Sequence, residues 1–160
     1  MKGVASTALV LCALAAVAAS GAAVKPQTFN LLEVNTSFVG AGGFDEMGNS
    51  PPKIGQGFVL GSDYYKWNGT KRGAHVGTLN ASCTWLTAPT SASGKTVCTA
   101  VASLPGGKIT AVGLTDGNKF RVPIVGGTGI YTGAKGYVEV TNNLGGENSN
   151  KSNDKFVITG

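Results

Sequence analysis

Residues 120–140 read F-R-V-P-I-V-G-G-T-G-I-Y-T-G-A-K-G-Y-V-E-V. Phe120, Val122 and Ile124 alternate with Arg121 and Pro123, and Val138 and Val140 alternate with Tyr137, Glu139 and Thr141. Alternation with a period of two is the pattern of half-buried strands. Between the two runs lie Gly126, Gly127, Gly129, Gly133 and Gly136. Glycine enters positive-φ conformations at little cost and lets two backbones pass closely. The segment therefore predicts a strand, a tight corner and a second strand.

A phosphate cradle does not fit these glycines. A Walker loop ends in G-K-S/T and leads into a helix, whereas Ala134-Lys135-Gly136 leads into a strand. The spacing of Gly127, Gly129 and Gly133 is one residue too long for the dinucleotide fingerprint.

Working outward, the amino terminus carries Met1-Lys2, an apolar run from Val4 to Val17, and small residues from Ala18 to Ala23. This is the layout of a secretory signal peptide, residues 1–21, with cleavage between 18 and 23. The apolar run is shorter than the roughly 20 residues of a membrane span, so no membrane anchor is expected. The remainder, 26–160, suits one domain of about 140 residues. Without Lys2, 12 basic residues stand against 8 acidic ones, a net charge of +4. The basic residues are dispersed, which argues against a nucleic-acid face.

Loss of the leader removes Cys12 and leaves Cys83 and Cys98. An even count in an oxidising compartment favours one Cys83–Cys98 disulfide, with two free thiols as the alternative. N-x-S/T triplets begin at Asn35, Asn68, Asn80 and Asn150. Asn68 and Asn150, in polar stretches with glycine nearby, are the expected glycosylation sites.

Alternation and turn residues place strands at 28–39, 56–65, 75–86, 96–104 and 108–114, then the pair flanking the glycine corner, then 155–159. No segment has convincing helical periodicity. Eight short strands joined mostly by glycine turns indicate a sandwich or barrel, and an eight-strand barrel can hold one small ligand.

The glycine corner also resembles the hallmark run of dirigent proteins and allene oxide cyclase-like barrels, G-G-T/S-G-x-F/Y-x-x-A-x-G between two late strands. I-G-Q-G-F-V-L-G-S-D-Y-Y (54–65), V-G-T-L-N-A-S-C (76–83) and V-C-T-A-V-A-S-L-P-G-G-K-I-T-A-V-G-L (97–114) resemble the family's preceding strands in the same order. The resemblance covers most of 28–159. It implies an all-β, eight-stranded antiparallel up-and-down barrel.

Glu33-Val34-Asn35 resembles the E-I-N of allene oxide cyclases, where the acid steers charge and the asparagine helps hold a water. Ser62 stands where a second cavity asparagine is found, and Cys83 falls on the family's cavity cysteine. Glu33, Asn35 and Ser62 are accordingly the candidate catalytic residues. Against the dirigent pattern, the arginine before the motif aligns with Phe120. Arg121 is displaced by one residue, which in a strand turns it to the opposite face.

A carboxyl inside a barrel is desolvated, which raises its pKa and equips it to give or take a proton. Glu33 shares a strand face with Phe29, Leu31 and Asn35, so a lumenal Glu33 is expected if that face looks inward. Phe29, Phe58, Tyr64 and Trp85 are candidates for stacking on a ligand, with a place in the core as the alternative. His75 is a lone histidine without a partner at recognisable spacing. No motif calls for a metal or cofactor.

Three functions remain. One is a secreted, extracellular dirigent-like barrel that binds a small hydrophobic molecule and steers its coupling or cyclisation. The second is a cyclase of the allene oxide type acting on an unsaturated epoxide. The third is a non-catalytic secreted binding or defence protein on the same scaffold. The expected partners are a small hydrophobic ligand and an oxidase acting on the same substrate, with a homo-dimer or homo-trimer as the assembly.

Overall fold

Strands make up most of the computed structural model, which describes residues 24–43, 50–87, 94–144 and 150–160. The leader segment, its cleavage window and Cys12 lie outside these residues. The strands are β1 (Gln27–Ala41), β2 (Gly57–Trp67), β3 (Arg72–Trp85), β4 (Lys95–Leu104), β5 (Gly107–Asp116), β6 (Lys119–Gly127), β7 (Gly136–Asn142) and β8 (Lys151–Ile158). Each pairs antiparallel with its neighbour in sequence. β8 returns to β1 from Gln27↔Ile158 to Val34↔Lys151 and closes the barrel. Closure leaves no strand edge to template aggregation.

Register irregularities in the β1–β2, β2–β3 and β5–β6 pairings help set which side chains face in. The β1–β2 register shifts between Asn35 and Ser37, and the β5–β6 register shifts between Thr110 and Ala111. Such bulges sharpen the local twist and re-aim side chains. Past the first one, Phe38 pairs with the lumen-lining Leu60 and stacks on Phe58 with 5.0 Å between ring centroids.

The two ends differ. The turns at 68–71 and 105–106 and the corner at 128–135 cap one end, and the turn at 117–118 lies at the other. The glycine corner is a plug. A short 3-10 turn, Gly129–Tyr131, tucks Tyr131 and Ala134 into the barrel end. There they join Val24, Ile109, Ile124 and Ile158 in one buried cluster. Each large apolar side chain so buried contributes roughly 1.5–3 kcal/mol.

The last strand differs from the sequence expectation, which started it at Lys155. β8 begins four residues earlier, at Lys151. Its inward residues are Ser152, Asp154, Phe156 and Ile158, all buried, alternating with less buried neighbours. The first two are polar, so hydrophobic alternation starts only at Phe156. β3 likewise begins at Arg72 rather than His75, because its first residues are exposed and carry no apolar period.

Candidate functional site

Four lumen-facing positions on three consecutive strands are alanines: Ala81 on β3, Ala100 and Ala102 on β4, and Ala111 on β5. Side chains this small cannot fill the axis of an eight-strand barrel. What remains is a cavity of about 1050 Å³ above the plugged end. Leu60, Leu79, Ile109, Phe120, Val122, Val138, Val140 and Phe156 complete an apolar lining.

The carboxyl groups converge on one wall, while Thr96 and Thr115 form a smaller hydroxyl pair on β4 and β5. Glu33 (β1), Tyr64 (β2), Ser152 and Asp154 (β8) line the cavity, and Asn35 stands above them toward the mouth. Strand pairing brings them together, since Glu33 lies opposite both Tyr64 and Ser152. Glu33 is 8% exposed and Asp154 2%. Ser62 Oγ donates to Glu33 Oε1 at 2.7 Å, and Ser152 Oγ donates to Glu33 Oε2 at 2.7 Å. The Tyr64 hydroxyl donates to Asp154 Oδ2 at 2.6 Å. Ser62 Oγ also lies 2.8 Å from Asn35 Oδ1. A hydroxyl has one proton, so if Ser62 gives it to Glu33, the Asn35 amide turns to donate to Ser62.

Asp154 and Glu33 project into one lumen from paired strands, and two neighbouring buried carboxyls disfavour each other's ionisation. Burial first, and the Glu33 charge second, hold the Asp154 carboxyl well above the usual carboxylate range. With both groups ionised, Asp154 Oδ1 meets no donor among the described residues. One proton shared by the pair satisfies both carboxyls. Burial, then the Asp154 and Glu33 charges, push the Tyr64 phenol well above its ordinary value. Tyr64 therefore stays a donor.

The sequence candidates fall into distinct places. Glu33 and Asn35 line the cavity, while Ser62, 2% exposed, lies behind them and orients Glu33. Phe58, Tyr64 and Trp85 line the cavity, and Phe58 and Trp85 sit 6.2 Å apart near its mouth. Phe29 stands apart from that lining, stacked on Phe156 at 5.0 Å toward the plugged end. Cys83 and Cys98 are direct cross-strand partners and form a disulfide in the lumenal wall. Cys83 is therefore not a free thiol.

Arg121 points outward and pairs with Glu139 at 2.9 Å, whereas Phe120 lines the lumen. Glu139, bonded to Arg121, is held below the ordinary carboxylate value. Asn68 is exposed at a turn that its own Oδ1 caps by accepting from the Thr70 and Lys71 amides. Asn150 is exposed at the cavity mouth. His75 faces solvent beside Asp63 at 3.3 Å. Among the described residues no group of three or more His, Cys, Asp or Glu could hold a metal ion.

Sequence reading missed Asp154, because it starts the last strand at residue 155, one position beyond it. The signal was there in Ser152-x-Asp154-x-Phe156-x-Ile158.

No protein-family model matches the sequence, and no curated protein sequence matches it. Solved structures do share the barrel. A pyocyanin demethylase is 21% identical, with a TM-score of 0.65, covering 83% of this chain and all of the other. The pterocarpan synthase dirigent protein GePTS1 is 13% identical, with a TM-score of 0.63, covering 84% of this chain and 83% of its own. AbnU, an exo-specific intermolecular Diels-Alderase, is 16% identical, with a TM-score of 0.62, covering 85% and 99%. At such identities the likeness establishes the fold alone, a closed antiparallel eight-stranded barrel.

Proposed function

We propose that this protein is a secreted dirigent-like barrel that binds a small hydrophobic molecule in its lumen and steers that molecule's coupling or cyclisation. The observation that carries the reading is the asymmetry of the cavity: a largely apolar, alanine-lined volume of about 1050 Å³ with its carboxyl groups on one wall. A shaped apolar lumen holds a flexible molecule in one folded geometry, and holding reacting atoms together lowers a barrier without any covalent step. The one-sided acidic wall fixes which end of the molecule lies against Glu33 and Asp154. Facial selectivity follows from that orientation. On the same scaffold, a dirigent protein and a Diels-Alderase carry names that describe coupling or ring formation.

Mass spectrometry of small molecules copurifying with the secreted protein tests the reading, with an Ala100→Phe variant as control. Ala100 lines the lumen, so a phenyl group there fills the space without touching the acidic wall. A hydrophobic compound retained by the wild type and lost from a folded Ala100→Phe variant is the expected result. Equal retention by both proteins places the ligand outside the lumen and ends the reading.

A further inference from the structure

Among the described residues, the recorded hydrogen bonds to the lumenal carboxyl pair all come from uncharged hydroxyls. Glu33 and Asp154 line the cavity from paired strands, and two neighbouring carboxyls that share one proton rather than ionise together leave one negative charge between them. The groups packed around it are the hydroxyls of Ser62, Ser152 and Tyr64, with Leu31 on β1 and Val140 on β7 as the strand partners of Asp154. None carries positive charge. The charged or titratable residues of the cavity lining are Glu33, Tyr64, Asp154 and Lys151, apart from the disulfide cysteines. Lys151 has the outward parity of β8 and borders the mouth, three residues from Asp154.

A buried charge is ordinarily paired or neutralised. Here the hydroxyls stabilise it partially, and the open side of the pair faces apolar wall. Phe156 and Tyr64 meet edge to face at 5.9 Å beside it, and Phe120 and Phe58 also line the lumen. Aromatic faces attract positive charge as well as apolar surface. A compact ammonium would lose its hydration in such a lumen at heavy cost, whereas a delocalised ring cation is weakly hydrated and enters readily.

We propose that the lumen selects a flat, hydrophobic molecule carrying a delocalised positive charge, seated with that charge against the Glu33–Asp154 pair. This inference rests on the lumen-binding reading and names the ligand class for it. Glu33 is then the determinant of specificity, with Ser62 and Ser152 holding its carboxyl in place and Tyr64 holding that of Asp154.

Three probes share one three-ring frame and differ in charge: N-methylacridinium, 9-methylacridine and acridine-9-carboxylate. Calorimetric titration of the full-length secreted protein at pH 8 and fixed ionic strength compares them, since 9-methylacridine is neutral there. The cation should bind roughly tenfold or more tightly than the neutral probe, and the anion most weakly, because a charge pair in a low-dielectric lumen is little screened. Glu33→Gln removes the charge and should bring the cation to the affinity of the neutral probe. Asp154→Asn keeps Glu33 ionised and should preserve the preference for the cation. It also covers the case in which Glu33→Gln fails to fold.

Binding of the neutral probe as tightly as the cation overturns the inference and leaves the lumen-binding reading standing. A cation preference that survives Glu33→Gln intact also overturns it, because the charge would lie elsewhere. Failure of all three probes to bind counts against the lumen as a receptor and takes both readings down together.

Discussion

The Tyr64 hydroxyl on β2 reaches past β1 to Asp154 on β8, 2.6 Å from Oδ2. It ties together two strands that do not pair. Glu33 projects from the strand between them, so three strands supply one hydrogen-bonded array. The array closes the β1–β8 seam from the inside and shapes the acidic wall of the lumen.

Tyr64→Phe should therefore cost about 1–3 kcal/mol of stability, since it leaves Asp154 Oδ2 buried without its donor. The ring itself is conserved in the variant, so its packing against Phe156 is unchanged. Chemical denaturation at neutral pH measures the loss. A variant as stable as the wild type would mean that the Asp154–Glu33 proton alone satisfies the carboxyl.

The Cys83–Cys98 bridge staples β3 to β4 beside the mouth, closing a sequence separation of 15. Removing it with a Cys83→Ser, Cys98→Ser double variant should cost on the order of 3 kcal/mol. For a domain of this size that corresponds to a fall in Tm of roughly 10 °C. Thermal unfolding followed by circular dichroism reads it. Non-reducing peptide mapping should recover the 83–98 linkage, and two alkylatable thiols in native protein would contradict it.

At the glycine corner, Gly127→Val and Gly129→Val should each sharply lower the yield of folded protein. The reasons differ. Gly129 sits at φ +62°, and a Cβ there would also strike the Gly106 carbonyl. The sequence reading expected positive φ at Gly127 as well, yet Gly127 is not among the positive-φ glycines. A Cβ at Gly127 would lie 2.5 Å from the Tyr131 carbonyl oxygen and 2.6 Å from that of Lys108. Soluble expression and the near-ultraviolet spectrum separate folding failure from loss of ligand binding. A well-folded variant lacking only ligand binding would make the corner part of the site.

The barrel was legible because most of its strands bury apolar residues on alternate positions, and because glycine and proline mark its turns. The disulfide was legible from two cysteines on consecutive strands. Half of the acid pair was legible too, since Glu33 interrupts the apolar run Leu31-Leu32-x-Val34. Asp154 was not, because Ser152, Asn153 and Asp154 are residues that equally suit a loop. Polar residues face inward there only because Glu33 and Tyr64 await them across the seam. That is a tertiary fact, absent from any local pattern.

Asp154 also predicts how stability depends on pH. Its carboxyl is held well above the ordinary value, chiefly by burial and then by the Glu33 charge. An unfolded aspartate loses its proton near pH 3.9. Above that pH the native state holds a proton that the unfolded state has released, so stability falls as pH rises toward the raised native pKa. The slope from this one group reaches at most about 1.4 kcal/mol per pH unit. Asp154→Asn places an amide with the same shape in the site, accepting from Tyr64 and donating to Glu33 without titrating. The variant should match the wild type near pH 4 and become progressively more stable than it as pH rises. Urea midpoints measured at successive pH values for both proteins check this. Parallel profiles would show that Asp154 is not the residue holding the proton.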